Sequence, residues 1–409
     1  MAIKKFWTIA YRDLIRNRRR SILTLLAVAL GMMILIMMSG FIAGAFSGAL
    51  RDNIRLNTGH LQLRADSYEI EKLSLLSRDL LQDNEALVAQ AEALNEVQSV
   101  APILWTSGIL STIRESTGLK VTGIDPTDAF HAPIREGIVQ GAYLTPDARG
   151  EILLGKRLAD DMNITVGQRV SLAVGNANGQ PDEGVFTVVG LFNTGIPSYD
   201  QSTVIMPLRR AQAFTGTGNR ASSIIVLLDD REDTEKVAAA LQTPGIKIMT
   251  WQDLNSILLE SVQAGMAFYY IIYTIVILVV SVLIANTLLM SVFERTREMG
   301  ILAALGMKGR QIMMMFLFEA IILAVAGIAA GLVLGFAVVA YWAKVGLSFS
   351  EDAMASVEGF ALGSRMYAEF APDQAFILSL FMFVVVTLVS LYPAWYAARL
   401  EPVKALHTL

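Results

Sequence analysis

Few side chains in this sequence have the types and spacings needed to carry out chemistry. There is no cysteine, and His60, His131 and His407 lie far apart, so neither a thiolate nor a zinc-ligand spacing is present. The sequence also lacks a phosphate-binding Gly-x4-Gly-Lys-Ser/Thr loop, a His-Glu-x-x-His motif and a Gly-x-Ser-x-Gly motif. We therefore expect no metal site, no cofactor bound by this chain and no ATP hydrolysis by the chain alone.

A charged segment, residues 294–311, lies between two long apolar runs, Met266–Phe293 and Ile312–Trp342. It is too polar for lipid and too short for a domain. Its apolar residues recur at helical spacing: Met299, Leu302, Ala303 and Leu305. We expect Gly306 and Gly309 to end this helix. The segment is either a connecting loop whose basic residues set the topology, or a short helix on which a soluble partner can push.

Glu319 is the one carboxylate well inside an apolar run, some seven residues past its start and so ~10 Å deep on the cytoplasmic side. An acid in hydrocarbon is costly and therefore indicates a function. That function is either a proton relay or an ion pair.

Composition and charge predict how these residues are positioned. With 54% hydrophobic and 17% charged residues and a mean hydropathy of +0.50, the chain is predicted to combine membrane spans with a folded domain. The apolar runs that qualify as spans are Ile22–Phe46, Met266–Phe293, Ile312–Trp342 and Ala375–Tyr396. The first is too long for the apolar region of a cleaved signal peptide. We expect an integral membrane α-helical protein with four transmembrane helices and a large mixed α/β extracytoplasmic domain between helices 1 and 2.

Basic residues set the predicted sides of the membrane. They outnumber acids in residues 1–21, 294–311 and 397–409, whereas acids outnumber bases in 343–374, so both termini are expected in the cytoplasm. Next to a span, the basic N-terminal segment is predicted to be an amphipathic interfacial helix rather than a nucleic-acid-binding arm. The predicted order is: 1–21 cytoplasmic segment, 22–49 helix 1, 50–262 periplasmic domain, 263–293 helix 2 with a stalk from about 251, 294–311 cytoplasmic segment, 312–342 helix 3, 343–374 periplasmic loop, 375–396 helix 4 and 397–409 cytoplasmic tail.

The segment 50–262 is long enough for a core of its own, and its acids outnumber its bases, which argues against binding nucleic acid. Predicted strands are Leu61–Arg64, Gly108–Ile113, Lys120–Ile124, Arg169–Val174, Val185–Leu191, Thr203–Met206 and Ile224–Leu228. Predicted helices are Glu85–Leu94, Lys156–Met162, Leu208–Phe214 and Glu232–Leu241. The Gly/Asn-rich stretch 175–184 is predicted to be a long exposed hairpin loop, ordinarily a mere connection. It could also hold a periplasmic partner through Asn176, Asn178, Gln180 and Pro181.

Thr250 to Asp253 has the form of a helix start, and no proline follows before Phe293. One helix of ~43 residues would be ~65 Å long, about twice the hydrocarbon thickness. We expect its first part to stand clear of the membrane as a rod that links residue 294 to the outer domain.

Two further patterns concern the spans. Glycines recur every fourth residue at Gly40, Gly44 and Gly48 and at Gly327, Gly331 and Gly335, which favours close helix packing within one subunit or across a dimer seam. An adaptable apolar surface suited to acyl chains is predicted at Met33, Met37, Phe41, Tyr269 and Tyr273. Plain helix packing is the alternative explanation of those residues.

The last third of the chain carries a family resemblance. The motifs are Glu294–Gly306 with Lys308 and Arg310, Phe318–Ala320 with the glycines that follow, and Tyr392–Leu406. Together they resemble the permease domain of the ABC superfamily that includes lipoprotein-releasing permeases, MacB-type exporters and FtsX division proteins. The resemblance implies a coupling helix that docks on an ATPase subunit, with the residues Glu294, Arg295, Thr296, Arg297, Glu298, Met299, Gly300, Leu302, Leu305 and Gly306. It also favours a structural partner for Glu319, such as an arginine of the coupling segment.

Within that superfamily the chain looks most like the lipoprotein-releasing permeases, in its length, in Thr58–Gln62 and in Val121–Asp125. MacB-type exporters carry the ATPase ahead of the first span, where only residues 1–21 are available here, and FtsX-type regulators of cell-wall hydrolases have a smaller outer domain. The resemblance implies a bacterial inner-membrane complex of two permeases, homo- or heteromeric, and two cytoplasmic ATPases that bind ATP and Mg. It also implies lipoprotein cargo and a periplasmic carrier, with an FtsX-like regulator or a MacB-like exporter of peptides or small molecules as alternatives.

Overall fold

The computed structural model describes residue 10 and residues 12–82, 84–350 and 363–399. The chain divides into two compact units. One combines Met1–Phe46, Val262–Leu347 and Tyr367–Leu409, and the other combines Ser47–Ser261 and Ser348–Met366. Most of the predicted segment 1–21, the middle of the predicted loop 343–374 and nearly all of the predicted tail 397–409 lie outside the described residues.

The first unit is built on four helices that are long and apolar enough to cross a membrane. We call them long helices 1 to 4, with the bounds Arg18–Asn53, Ser256–Glu294, Gly309–Val345 and Pro372–Ala398. Each satisfies its own backbone hydrogen bonds, which a span in hydrocarbon requires. Side chains from all four share one buried apolar cluster, which includes Met32, Ile277, Ala324 and Met382.

Glycines of long helix 3 pack against long helix 1 of the same chain. A Cβ added at Gly327 would lie 2.6 Å from Val28, one at Gly331 would lie 2.5 Å from Met32 Cβ, and one at Gly335 would lie 2.7 Å from Ile36 Cβ. Only glycine permits so close an approach of the two backbones. This glycine ladder therefore serves packing within one subunit.

The glycines of long helix 1 have unequal surroundings. A Cβ at Gly44 would lie 1.9 Å from the carbonyl oxygen of Tyr367, whereas a Cβ at Gly48 would meet nothing within 4 Å. The regular spacing of Gly40, Gly44 and Gly48 therefore does not extend to a regular set of contacts.

The second unit is a mixed α/β domain, as predicted. Its strands are β1 Leu61–Ala65, β2 Val97–Ser111, β3 Ser116–Ile124, β4 Ile138–Gly141, β5 Glu151–Gly155, β6 Arg169–Gly175, β7 Pro181–Phe192, β8 Thr203–Pro207, β9 Ser223–Leu228 and β10 Ile246–Thr250. They form one sheet in the order β10-β1-β9-β2-β3-β8-β5-β7-β4, and β6 pairs with both β2 and β7. The α-helices are Asn84–Glu92, Ala132–Glu136, Lys156–Asp161, Pro197–Ser202, Leu208–Thr215, Thr234–Ala240 and Trp251–Leu254.

All of the strands and helices predicted for this domain are present, with bounds that differ mainly by a few residues. The prediction lacks β4, β5 and β10, and it begins β2 at Gly108 instead of Val97. Strand β5 shows why: Ile152, Leu153 and Leu154 are consecutive and fully buried, so the strand has no alternation to detect.

The predicted long hairpin loop is short. Strand β6 ends at Gly175 and β7 begins at Pro181, so the connection is residues 176–180 and Pro181 belongs to a strand. The Asn176 carboxamide oxygen accepts hydrogen bonds from the backbone of Asn178 and Gln180 at 3.0 Å, and the Ala177 N–H donates to the Thr215 carbonyl at 2.8 Å. The prediction of a long loop is wrong because these bonds fold the polar residues into a compact turn.

The predicted continuous rod from Trp251 is interrupted by one residue. Thr250 and Asp253 form the expected capping box, but the helix they begin ends at Leu254. Asn255 has non-helical dihedrals, φ −110° and ψ 18°, and a new helix starts at Ser256. The Asn255 side chain donates to the Trp251 carbonyl at 2.7 Å and accepts from Asn53 Nδ2 at 2.6 Å. Such side-chain competition with the backbone explains a break that hydropathy does not reveal.

Candidate functional site

The coupling segment between long helices 2 and 3 is a short helix, Thr296–Ala304, which we call the coupling helix. Glu294 is still the last residue of long helix 2, so Arg295 alone joins the two helices. Leu305 ends the coupling helix, and Gly306 then adopts φ +95°, a conformation that favours glycine. Gly306 terminates the helix as predicted.

Gly309 does not terminate the coupling helix but begins long helix 3. Gln311 Oε1 accepts a hydrogen bond of 2.8 Å from the Lys308 N–H, which satisfies a donor at the start of that helix. A Cβ at Gly309 would lie 2.8 Å from the Ala398 carbonyl oxygen, so this glycine permits close packing against long helix 4.

One face of the coupling helix is buried. Met299 is 2% exposed and belongs to an apolar cluster with Val292, Phe316 and Ala397. Gly300 is also buried, and Thr296 and Leu302 are partly buried. These predicted docking residues therefore hold the helix against its own chain.

The opposite face carries Arg297, Ile301 and Leu305, which are exposed and spaced four residues apart. Residues at that spacing form one stripe along a helix. Leu305 is 80% exposed and Ile301 is 47% exposed. The sequence-based prediction omits Ile301, although the repeat from Arg297 to Leu305 points to it. We call these three residues the exposed stripe.

Arg295 lies at the centre of a buried ion cluster. Its Nη2 atom donates to Asp13 Oδ2 at 2.7 Å, and its Nε atom donates to Glu298 Oε2 at 3.1 Å. Its Nη1 atom lies 3.9 Å from Glu319 Oε2. The guanidinium also lies 5.9 Å from the centre of the Phe316 ring.

Two arginines from the N-terminal side complete the cluster. Arg16 Nη2 lies 2.8 Å from Glu298 Oε1 and 2.9 Å from its Oε2, and this contact holds the pKa of Glu298 below its usual value. Arg20 donates to Glu294 at 2.7 Å and lies 3.8 Å from Glu319. Three chain segments thus share their charges in one place.

Glu319 has the arginine partner that was predicted for it. Glu319 is 3% exposed, and its carboxylate lies within 4 Å of guanidinium nitrogens of both Arg20 and Arg295, the latter from the coupling segment. Opposite charges at that separation offset part of the cost of burying the acid. The geometry is that of an ion cluster, which favours the ion pair over the proton relay.

Comparisons with known proteins identify the family of this chain. Residues 21–243 match the family of MacB-like periplasmic core domains, and residues 270–402 match the FtsX-like permease C-terminal family. The chain belongs to the MacB/FtsX superfamily of ABC transporter permeases. As a member of it with four membrane-spanning helices, it is a permease subunit of a bacterial inner-membrane transporter.

Several relatives illustrate the similarity. The permease is 24% identical to the lipoprotein-releasing system transmembrane protein LolC of Neisseria meningitidis, over 76% of this chain and 78% of the relative. It is 25% identical to the macrolide export ATP-binding/permease protein MacB of Hyphomonas neptunium, over 97% of this chain and 60% of the relative. The solved periplasmic region of MacB from Actinobacillus actinomycetemcomitans is 19% identical, covering 51% of this chain and 97% of that structure with a TM-score of 0.35.

The predicted acyl-chain surface of the permease is divided between two places. Tyr269 and Tyr273 line a small groove with Ile42 of long helix 1 and Leu378 of long helix 4. Phe41 instead packs on Trp342 of long helix 3, with ring centres 6.0 Å apart. The sequence could not separate these directions, because both sets of residues recur at helical spacing.

Met33 and Met37, the other residues of that predicted surface, are partly buried and do not line the groove. Tyr270 and Met266, which the prediction omits, do line it. Among the groove's lining residues, long helix 1 contributes Ile42 instead of the predicted methionines.

The α/β domain holds ionisable groups with unusual surroundings. Lys120 Nζ lies 4.4 Å from the centre of the Trp105 ring, and burial, with a smaller contribution from Arg64, lowers the pKa of Lys120 to about 8. Burial lowers the pKa of His131 to about 3. Within the part of the chain that the structure describes, no group of three or more His, Cys, Asp or Glu residues could hold a metal ion.

Proposed function

We propose that this permease docks a cytoplasmic ABC ATPase through the exposed stripe Arg297, Ile301 and Leu305. Two copies of the ATPase would bind ATP and Mg, one for each permease of a homo- or heteromeric pair. The observation that carries the proposal is that two large aliphatic side chains protrude from a helix whose other face is anchored in its own chain. Exposed apolar residues bordered by charges favour a protein partner.

Copurification tests this docking. Leu305→Asp places a carboxylate in the apolar part of the stripe and is expected to reduce the recovered ATPase by at least about tenfold, or about 1.4 kcal/mol. Ile109→Asp is the control, because Ile109 lies in the α/β domain and is also exposed, 52% against 80% for Leu305. Equal recovery of the ATPase with both variants would refute the docking surface.

We also propose that both termini lie in the cytoplasm and that the α/β domain lies in the periplasm. The support is the excess of basic residues at the ends and in the coupling segment. Because the chain has no cysteine, single cysteines report position without background. Asn178→Cys should react with an impermeant maleimide from the periplasm, and Lys308→Cys only after the membrane is opened. The reverse labelling pattern would overturn this topology.

For the cargo, we propose lipoproteins, extracted from the inner membrane and passed to a periplasmic carrier. The support is the similarity to relatives named as lipoprotein-releasing permeases and the tyrosine-lined groove among long helices 1, 2 and 4. Its lining includes Met266, Tyr270 and Ile377, apolar surfaces that suit an acyl chain.

Photo-crosslinking tests the cargo. A crosslinker at Tyr270, which lines the groove, is expected to capture acylated protein in native membrane. A crosslinker at Leu283, on the same helix and 45% exposed but outside the groove, is the control. If Tyr270 captures no acylated protein and a cell-wall hydrolase binds the α/β domain, the chain is an FtsX-like regulator. The other alternative is a MacB-like exporter subunit, which the match to MacB-like periplasmic core domains favours. Capture of an unacylated peptide at Tyr270 would support that alternative.

A further inference from the structure

The charged residues that precede long helix 1, or begin it, match those of the coupling segment pair by pair. Asp13 bonds to Arg295 at 2.7 Å, Arg16 to Glu298 at 2.8 Å and Arg20 to Glu294 at 2.7 Å. Residues 13, 16 and 20 are spaced three and four apart, and the Asn17 and Ser21 N–H groups donate to the carbonyls of residues 13 and 17 at 3.2 and 3.1 Å. The three side chains therefore share one face of a helical stretch.

The charges on the two sides are complementary. An acid and two bases on the N-terminal side oppose a base and two acids on the coupling side. A register shift of one turn would bring like charges together. The match therefore specifies one position of the N-terminal face against the coupling helix.

The three pairs differ in what they contribute. The side chains of Arg16 and Glu298 are 54% and 49% exposed, and such pairs stabilise little. The side chains of Asp13 and Arg295 are only 12% and 9% exposed. Without Asp13, the buried Arg295 guanidinium would keep, among the described residues, only Glu298 at 3.1 Å and Glu319 at 3.9 Å, and losing a partner of a buried charge is destabilising. The Asp13–Arg295 pair is therefore the most buried of the three.

We propose that Arg295 is a positioning residue which, through Asp13, ties the coupling helix to the N-terminal helical face and thereby to long helix 1. Movement of the coupling helix then reaches long helix 2 through the backbone, because Arg295 directly follows that helix. It reaches long helix 1 through the Asp13–Arg295 pair. Part of this proposal, the source of the movement, rests on ATPase docking at the exposed stripe. The link itself does not.

The link is tested on the permease alone, in lipid nanodiscs. Nitroxide labels at Arg19→Cys and Ala304→Cys, both exposed and outside the three pairs, report the distance between the two sides. We expect one narrow distance distribution. Asp13→Asn and Arg295→Gln should each broaden the distance distribution, and the double variant should broaden it no further than Arg295→Gln does. Asp13→Glu, which keeps the carboxylate, should leave the distribution narrow. An unchanged distribution in Asp13→Asn, or additive broadening in the double variant, would overturn the link.

The transmission is tested on the complex. With Asp13→Asn, the ATPase should still copurify in normal amount, but ATP hydrolysis by the complex should change at least about fivefold, a coupling of about 1 kcal/mol. Arg19→Gln is the control, since it removes a neighbouring exposed charge outside the pairs. Normal hydrolysis in Asp13→Asn would overturn transmission. If the unmodified permease recovered no ATPase, the docking proposal would fail while the label distances still decided the link.

Discussion

Glycine 331 offers the sharpest test of how the long helices pack. Replacing Gly331 with alanine would place a Cβ 2.5 Å from Met32 Cβ and 2.7 Å from the Ala29 carbonyl oxygen. Nonbonded carbon atoms prefer about 3.5 to 4.0 Å, so long helices 1 and 3 would have to separate by about 1 Å. Gly48→Ala is the matched control, because its Cβ would meet nothing within 4 Å.

The expected magnitudes follow from two opposing effects. Alanine in a helix interior is more favourable than glycine by about 1 kcal/mol, at both positions. At position 331 the overpacking costs about 1 to 3 kcal/mol, and part of the helix contact is lost as well. We therefore expect Gly331→Ala to be less stable than the unmodified protein by about 1 to 2 kcal/mol. Gly48→Ala should be at least as stable as the unmodified protein, and the free energies of unfolding of the two variants should differ by about 2 to 3 kcal/mol.

Thermal unfolding in one detergent, followed by tryptophan fluorescence, measures the difference. The apparent Tm of Gly331→Ala should be several degrees below that of Gly48→Ala. Because the contact lies within one chain, the difference should not change on tenfold dilution of the protein. Equal Tm values for the two variants would refute the packing argument. A Tm difference that vanished on dilution would show that the glycines of long helix 3 pack between two subunits instead of within one.

Two further predictions concern the α/β domain. Lys120 has a folded-state pKa near 8 against 10.5 normally, so the unfolded chain holds more protons between those values and stability rises with pH there. Lys120→Met should raise the free energy of unfolding at pH 7 by about 2 kcal/mol, and it should abolish the increase in stability with pH. Chemical unfolding at pH 7 and at pH 9.5 measures both. A variant whose free energy of unfolding still increased with pH as in the unmodified protein would contradict this. Gly59 has φ +62° and ψ −171°, and its Cβ would lie 2.3 Å from Ile225. Gly59→Ala should lower the free energy of unfolding by about 2 kcal/mol or more. In the same unfolding assay Gly118→Ala should be nearly neutral, because its Cβ would meet nothing within 4 Å and Gly118 has no positive φ.

Local patterns explain why much of this protein is predictable. Four apolar runs identified the long helices, because roughly 20 consecutive apolar residues are needed to cross hydrocarbon and few other structures tolerate them. Alternation identified β6, whose residues face opposite sides of the sheet, and a β-branched apolar run identified β9. Helical spacing with a following glycine identified the coupling helix and its end at Gly306. Each of these signals is carried by residues that are close together in the sequence.

Distant contacts decided what those patterns left open. Asn255 breaks a helix because its side chain bonds to Asn53, and the turn 176–180 is compact partly because Ala177 bonds to Thr215. Gly331 and Gly48 share the four-residue glycine spacing in the sequence, but a Cβ at Gly331 would meet long helix 1 whereas one at Gly48 would meet nothing within 4 Å.

The candidate site shows the same division. The sequence alone predicted a short charged amphipathic helix within residues 294–306, between two spans, since charge and periodicity are properties of consecutive residues; the helix is Thr296–Ala304. It could not determine that Arg295 turns inward to Asp13 while Arg297 turns outward with Ile301 and Leu305. The energy of a buried ion pair depends on partners far away in the chain, and such partners leave no periodic trace in the sequence. Only the tertiary structure, by bringing residues 13, 295 and 319 together, decided which face anchors the helix and which is free to bind.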